Sequence, residues 1–212
     1  MNLESLFSRA LVWRGGDTPP CVQGAVPTGH RDLDALLPGG GWPLGTLTEL
    51  LTDRHGSGAL RLALPALVRL SHADRWLAWV APPHVPYAPA LAAAGLDLSR
   101  VLLVYPGQGD GLLKSVPLRA RAWAVEQALR SGTCGAVLAW LPESELGALR
   151  RLQLAAEEGR CWALLFRPRA AAGRPSPATL RLAVEAAPDG LRVRIVKGRG
   201  GRGAGPLHLA SC

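Results

Sequence analysis

The feature that most constrains this 212-residue chain is a repeated exchange between two hydrophobic periods. Runs that are mostly apolar, at residues 46 to 51, 76 to 81, 100 to 105, 134 to 141 and 161 to 166, alternate with amphipathic stretches. Apolar runs of this length, rich in branched and aromatic residues, read as strands buried on both faces. The stretches between them read as covering helices. One carries Leu60, Leu64, Leu67, Val68 and Leu70, with Pro65 expected to kink or break it. The next follows Ser115 and Pro117, runs through Arg130 and stops at Gly132; another, capped by Ser144, presents Leu146, Leu149, Leu152 and Ala156. The pattern predicts an α/β fold with a mainly parallel central sheet flanked by helices.

The last quarter of the chain changes habit. Leu180, Leu182 and Val184 alternate, a turn follows at Ala187-Pro188-Asp189-Gly190, and Leu191, Val193 and Ile195 alternate back. This predicts a C-terminal antiparallel hairpin at one sheet edge, with Arg181, Arg192 and Arg194 on its other face. Residues 198 to 212, rich in Gly and Arg, read as a flexible tail. At the other end, residues 3 to 13 read as a short amphipathic helix and 15 to 25 as a linker. The expected organisation is therefore an arm over residues 1–25, a folded domain over 26–197 and a basic tail over 198–212.

Basic residues exceed acidic ones by eight, and the whole excess lies in residues 160 to 212, where only Glu185 and Asp189 are acidic. Such an end fits contact with nucleic acid or an acidic protein surface, and equally a solvated basic tail. Candidates for DNA contact are Arg167, Arg169, Arg174, Arg192, Arg194, Lys197, Arg199 and Arg202. No aromatic residues interleave them to stack on bases.

Residues 27 to 60 have the layout of a nucleotide-binding entry, in which a strand runs into a Gly-containing bend that opens a helix. The bend reads Thr52, Asp53, Arg54, His55, Gly56, Ser57, Gly58, Ala59. A working phosphate loop ends in Lys and a hydroxyl residue, which reach the outer phosphates and hold magnesium. Neither is here, and Asp53 adds a like charge beside any phosphate.

Cys21, Cys134, Cys161 and Cys212 lack metal-ligand or paired spacing, so no metal site and no disulfide framework is indicated; Cys134 and Cys161 read as core. His30, His55, His72, His84 and His208 are scattered, and no nucleophile has a base at recognisable spacing. Trp76, Trp79, Trp123, Trp140 and Trp162 fall in strand or helix patterns and read as core. Trp13 and Trp42, near segment ends, read as candidate partner contacts together with Leu6 and Phe7 of the amino-terminal helix. The amino terminus lacks a signal-peptide pattern and no apolar run reaches the roughly 20 residues of a membrane span, which predicts a cytoplasmic protein without a membrane partner.

Several longer motifs carry a resemblance. They are P-T-G-x-x-x-L-D-x-L-L at 27 to 37, G-G-G-W-P-x-G-x-x-T-E-L at 39 to 50, A-P-P-H-x-P-Y-A-P-A-L-x-x-A-G-L-D at 81 to 97, E-Q-A-L-R-S-G-x-C-G-A-V-L-A-W at 126 to 140, R-R-L-Q-L-A-A-E-x-G-R at 150 to 160, and L-R-V-R-I-V-K-G-R-G-G at 191 to 201. In these the chain resembles the RecA/SulA-like family and, within it, the ImuA group of translesion-synthesis accessory proteins. The resemblance implies a RecA-like core over residues 26–197. Carried over position by position, the phosphate-binding Lys and Thr fall on Gly58 and Ala59, the general base near Pro82 and Pro83, and the magnesium-associated Asp on Trp140. It therefore implies a degenerate ATPase with no catalytic residues, no cofactor and no metal.

The function expected from the resemblance is a non-catalytic adaptor of damage-induced (SOS) mutagenic translesion synthesis. Its partners would be an ImuB-like Y-family protein and an error-prone C-family DNA polymerase, with RecA and single-stranded DNA as further candidates. The alternatives are an SOS cell-division inhibitor of the SulA kind acting on the tubulin-like division protein, a nucleotide-regulated switch, and a non-specific nucleic-acid binder.

Overall fold

The computed structural model describes residues 24–53, 56, 58–106, 117–198 and 205–210. Leu6, Phe7, Trp13, Ser57, Arg199 and Arg202 lie outside the described residues, as do Cys21, Arg54, His55 and Cys212. Strand β1 (Ala25–Val26) pairs antiparallel with β2 (Trp42–Pro43), and α1 (Arg31–Leu36) lies between them. There follow β3 (Leu47–Thr52), α2 (Ala59–Ser71), β4 (Trp76–Val80), α3 (Ala88–Ala93), β5 (Val101–Val104), α4 (Leu118–Arg130), β6 (Cys134–Trp140), α5 (Leu146–Glu158) and β7 (Trp162–Pro168). The chain closes with β8 (Leu180–Ala187), β9 (Gly190–Lys197) and β10 (Leu207–Ala210).

These strands form one eight-stranded sheet in the order β10-β9-β8-β3-β7-β6-β4-β5. Every pairing from β8 to β5 is parallel, while β9 and β10 run antiparallel. The closing hairpin thus differs from expectation, because β8 itself is parallel to β3 and only its return strand reverses. A crossover from β7 over β3 brings β8 in from the same end.

Strand residues divide by parity between two apolar layers, as a pleated strand requires. Leu50, Leu138, Leu164 and Leu182 join the layer completed by Leu33 of α1 and Leu62 and Leu67 of α2. Leu47, Val137, Ala139 and Leu165 join the other, completed by Val125 and Leu129 of α4 and Leu149 and Leu152 of α5. Helix α2 continues through Pro65 instead of breaking there. The buried Leu62, Ala66, Leu67 and Leu70 hold both halves of the helix on the sheet, so packing outweighs the missing hydrogen bond.

Several local expectations change. The residue preceding α5 is Glu145, with no side-chain cap, and the buried Ser144 hydroxyl has no partner. Leu207–Ala210, placed by composition in a flexible tail, pair with β9 and bury Leu209. Trp123 is 62% exposed and Trp76 38%, so neither is core. Trp42 is the reverse case: it is fully buried, stacks on Trp162 at 5.1 Å and 27°, and is no partner contact. Trp162 in turn donates its Nε1–H to the Thr48 hydroxyl at 3.1 Å.

This indole pair ties the β1–β2 ribbon to the centre of the sheet. Trp42→Ala is expected to lower unfolding stability by about 3–5 kcal/mol through the cavity left behind, while Trp123→Ala changes it by about 0.5 kcal/mol or less. Urea titration followed by circular dichroism measures both.

Candidate functional site

The bend after β3 sits at the carboxyl end of a parallel strand, the place where open α/β sheets bind ligands. Around it lies a cavity of about 600 Å³. Thr52, Asp53, Gly56, Gly58 and Ala59 line one side, Pro82 and Pro83 after β4 another, and Trp140 at the end of β6 the floor. The residues implied by family comparison thus converge in space. Their chemistry is nevertheless that of an apolar pocket. Trp140 stacks on Phe166 at 4.6 Å and 8°, and Trp79 tilts against it at 6.2 Å.

Gly58 explains why a lysine does not stand here. Its φ is +85°, a left-handed conformation that disfavours any side chain, and a Cβ added to it would lie 2.3 Å from Leu191 Cδ2 on β9. The atom in the way is the end of a flexible side chain, so the left-handed backbone is the firmer obstacle to a longer residue. Among the described residues, no group of three or more His, Cys, Asp or Glu side chains is placed to hold a metal ion.

The arginine-rich end is only partly a surface. Arg167, read as a DNA contact, is buried, and its Nη1 donates to Glu49 Oε1 at 2.9 Å. Its removal from that set has a physical cause: residue 167 still belongs to β7, and its side chain meets the fully buried carboxylate of β3. Arg181 is buried too, donating from Nε to Glu49 Oε2 at 2.7 Å and from its Nη atoms to the carbonyls of Ala171, Ala172 and Arg174. Ser176 donates its hydroxyl to Glu49 Oε1 at 2.7 Å. Glu49 was not among the expected site residues, although a lone carboxylate inside an apolar strand is a visible signal.

Of the other candidates, Arg169 reaches Glu185 and lies 3.9 Å from Asp53. Lys197 Nζ donates to the Ser176 carbonyl at 2.8 Å, and Arg174, Arg192 and Arg194 are exposed. Arg192 lies 3.9 Å from Glu185, which partly neutralises this patch.

Residues 45–163, more than half of the chain, match the family model described as "Cell division inhibitor SulA". The chain belongs to the SulA family. SulA of Edwardsiella piscicida is 36% identical over 110 residues, covering 51% of this chain and 60% of that protein. SulA of Yersinia pestis (strain Pestoides F) is 30% identical over 124 residues, 58% of this chain and 68% of that protein. RecA of Thermus aquaticus is 29% identical over 145 residues, 68% of this chain but only 41% of that protein. The crystal structure of SulA from Pseudomonas aeruginosa aligns with a TM-score of 0.45 and 29% identity, covering 57% of this chain and 97% of that one.

SulA membership corrects the reading of this chain as a translesion-synthesis adaptor. The resemblance pointed to the ImuA group, but the family model and the relatives of 30% identity or more given above are SulA division inhibitors. The SulA match ends at residue 163, so Arg167, Arg181 and the β8–β10 extension lie beyond it. Among the described residues no helix is long and apolar enough to cross a membrane.

Two substitutions test this geometry. Glu49→Gln leaves two buried guanidiniums without their counter-charge and is expected to cost about 3–5 kcal/mol, whereas Asp53→Asn, in an exposed pair, costs about 1 kcal/mol or less. Denaturant unfolding separates the two. Gly58→Lys combined with Ala59→Thr is expected to destabilise the protein and to give no ATP-dependent shift of melting temperature, as read by differential scanning fluorimetry.

Proposed function

We propose that this protein is a non-enzymatic cell-division inhibitor that acts in the cytoplasm by binding the tubulin-like division protein in cells responding to DNA damage. The observation that carries this reading is the SulA family match across residues 45–163, which takes in the strand, the bend and the helix of the altered loop. We read the parallel sheet as a reduced RecA-like core. Phosphoryl transfer depends on positioning and charge neutralisation, and the groups that supply both are replaced by Gly58, Ala59, Pro82, Pro83 and Trp140. A protein of this kind works through its surfaces.

The surface we assign to the partner is the outer side of α4 and α5. These helices are joined by ion pairs from Glu126 to Arg151 and from Arg130 to Glu158. They expose Trp123 (62%) and Leu154 (60%), both within the matched segment. An exposed indole among charged residues is the usual composition of an interface anchor.

Induced expression in a rod-shaped bacterium carrying the cognate division protein is expected to give long undivided filaments. The purified protein is expected to bind that division protein and reduce its polymer as read by sedimentation. Trp123→Ala is expected to weaken binding roughly 30-fold, corresponding to an anchor worth about 2 kcal/mol. Normal division together with no detectable binding would overturn the proposal.

A further inference from the structure

We propose that the cavity at the carboxyl ends of β3, β4, β6 and β7 binds an uncharged, planar aromatic small molecule bearing hydrogen-bond acceptors. This goes beyond division inhibition and does not depend on it. The volume of about 600 Å³ falls within the range of small-molecule sites, about 300–1,000 Å³. Its lining includes the aromatic series Trp79, Trp140 and Phe166, the last two stacked on each other with their ring planes 8° apart. Leu60 and Leu64 of α2 face it across the opening, so a flat ring can enter between aliphatic and aromatic walls.

Polarity of the lining sets the rest of the ligand's chemistry. Trp79 and Arg167 both line the cavity, and Trp79 Nε1 and Arg167 Nε are buried donors without a hydrogen-bond partner. Both atoms are closed off from solvent, so an acceptor in the cavity reaches them through a small shift of the indole or guanidinium; orphans of this kind cost about 1–3 kcal/mol each, which such a contact relieves. Gly58 and Ala59, at the start of α2, also line the cavity, and the helix has no side-chain cap. A phosphate or other full anion does not suit the site. The Arg167 guanidinium is already bound to Glu49, Arg61 and His84, which also line the space, have partners of their own, Asp53 adds a carboxylate, and no lysine is among the described lining residues.

The test uses 7-methoxycoumarin, which is flat, uncharged and carries a lactone carbonyl, titrated into the full chain by isothermal calorimetry. ATP and 1-adamantanol serve as the anionic and the non-planar comparison. One-to-one saturable binding of the coumarin is expected, at least tenfold tighter than either comparison. Leu60→Glu is expected to weaken it at least tenfold, and Leu154→Glu, on the far helix pair, to leave it unchanged. Trp140→Leu is expected to abolish the preference over adamantanol, which guards against a Leu60 variant that merely fails to fold. Absence of saturable binding, tighter binding of ATP, or equal affinity in Leu60→Glu would each overturn the proposal.

Discussion

The buried carboxylate of Glu49 is the constraint around which the basic end of the molecule is arranged. It stands in the middle of β3, whose neighbours are β7 on one side and β8 on the other. Each neighbour supplies an arginine to it, Arg167 from β7 and Arg181 from β8. One acid among two guanidiniums leaves an excess positive charge, and three backbone carbonyls from residues 171, 172 and 174 accept the remaining Arg181 donors. Breaking a buried charge network of this kind is costly, so the strand order and the path of residues 169–176 are held together. Part of the arginine content that looks like a nucleic-acid surface in composition is structural cement.

The same loop path shapes the pocket. Pro168 and Arg167 form part of its wall, and Leu191 of β9 lies close against Gly58 in the bend after β3. The cleft at the strand ends is a property of parallel topology and survives any change in its lining. Trp140 stacks on Phe166 at the position where the resemblance to RecA implies a metal-associated carboxylate, and the cleft is lined there by aromatic rings.

How much of this was legible in the sequence depends on the scale of the signal. Long apolar runs with helical stretches between them placed most of the strands and the two faces of the sheet, because burial on both sides leaves little room for another period. Single residues were harder. Trp42 was expected at a surface and Trp123 in the core, and the structure has the reverse, because size and segment position do not say what an indole packs against; Trp42 meets Trp162 from a distant strand. Arg167 looked like a loop cation since the carboxylate that holds it is 118 positions away. Leu207 and Leu209 do alternate, but four residues amid Gly and Arg fell below what composition resolves. Which member of the family the chain belonged to was not readable from the loop at 52–59, because the resemblance implies the same absent groups for an adaptor and an inhibitor alike.

The strand order also sets a timetable. Between Glu49 and its partner Arg167 lie more than a hundred residues, and β3 has no neighbour in the sheet until β7 and β8 exist. At a synthesis rate of about 5–20 residues per second, the apolar strand waits on the order of ten seconds with both edges open. During that interval the carboxylate has no guanidinium to neutralise it and is a solvated charge in the middle of Leu47–Thr52. The acid that later anchors the finished sheet is until then a charge inside an apolar strand, the kind of residue that disfavours pairing with a wrong neighbour.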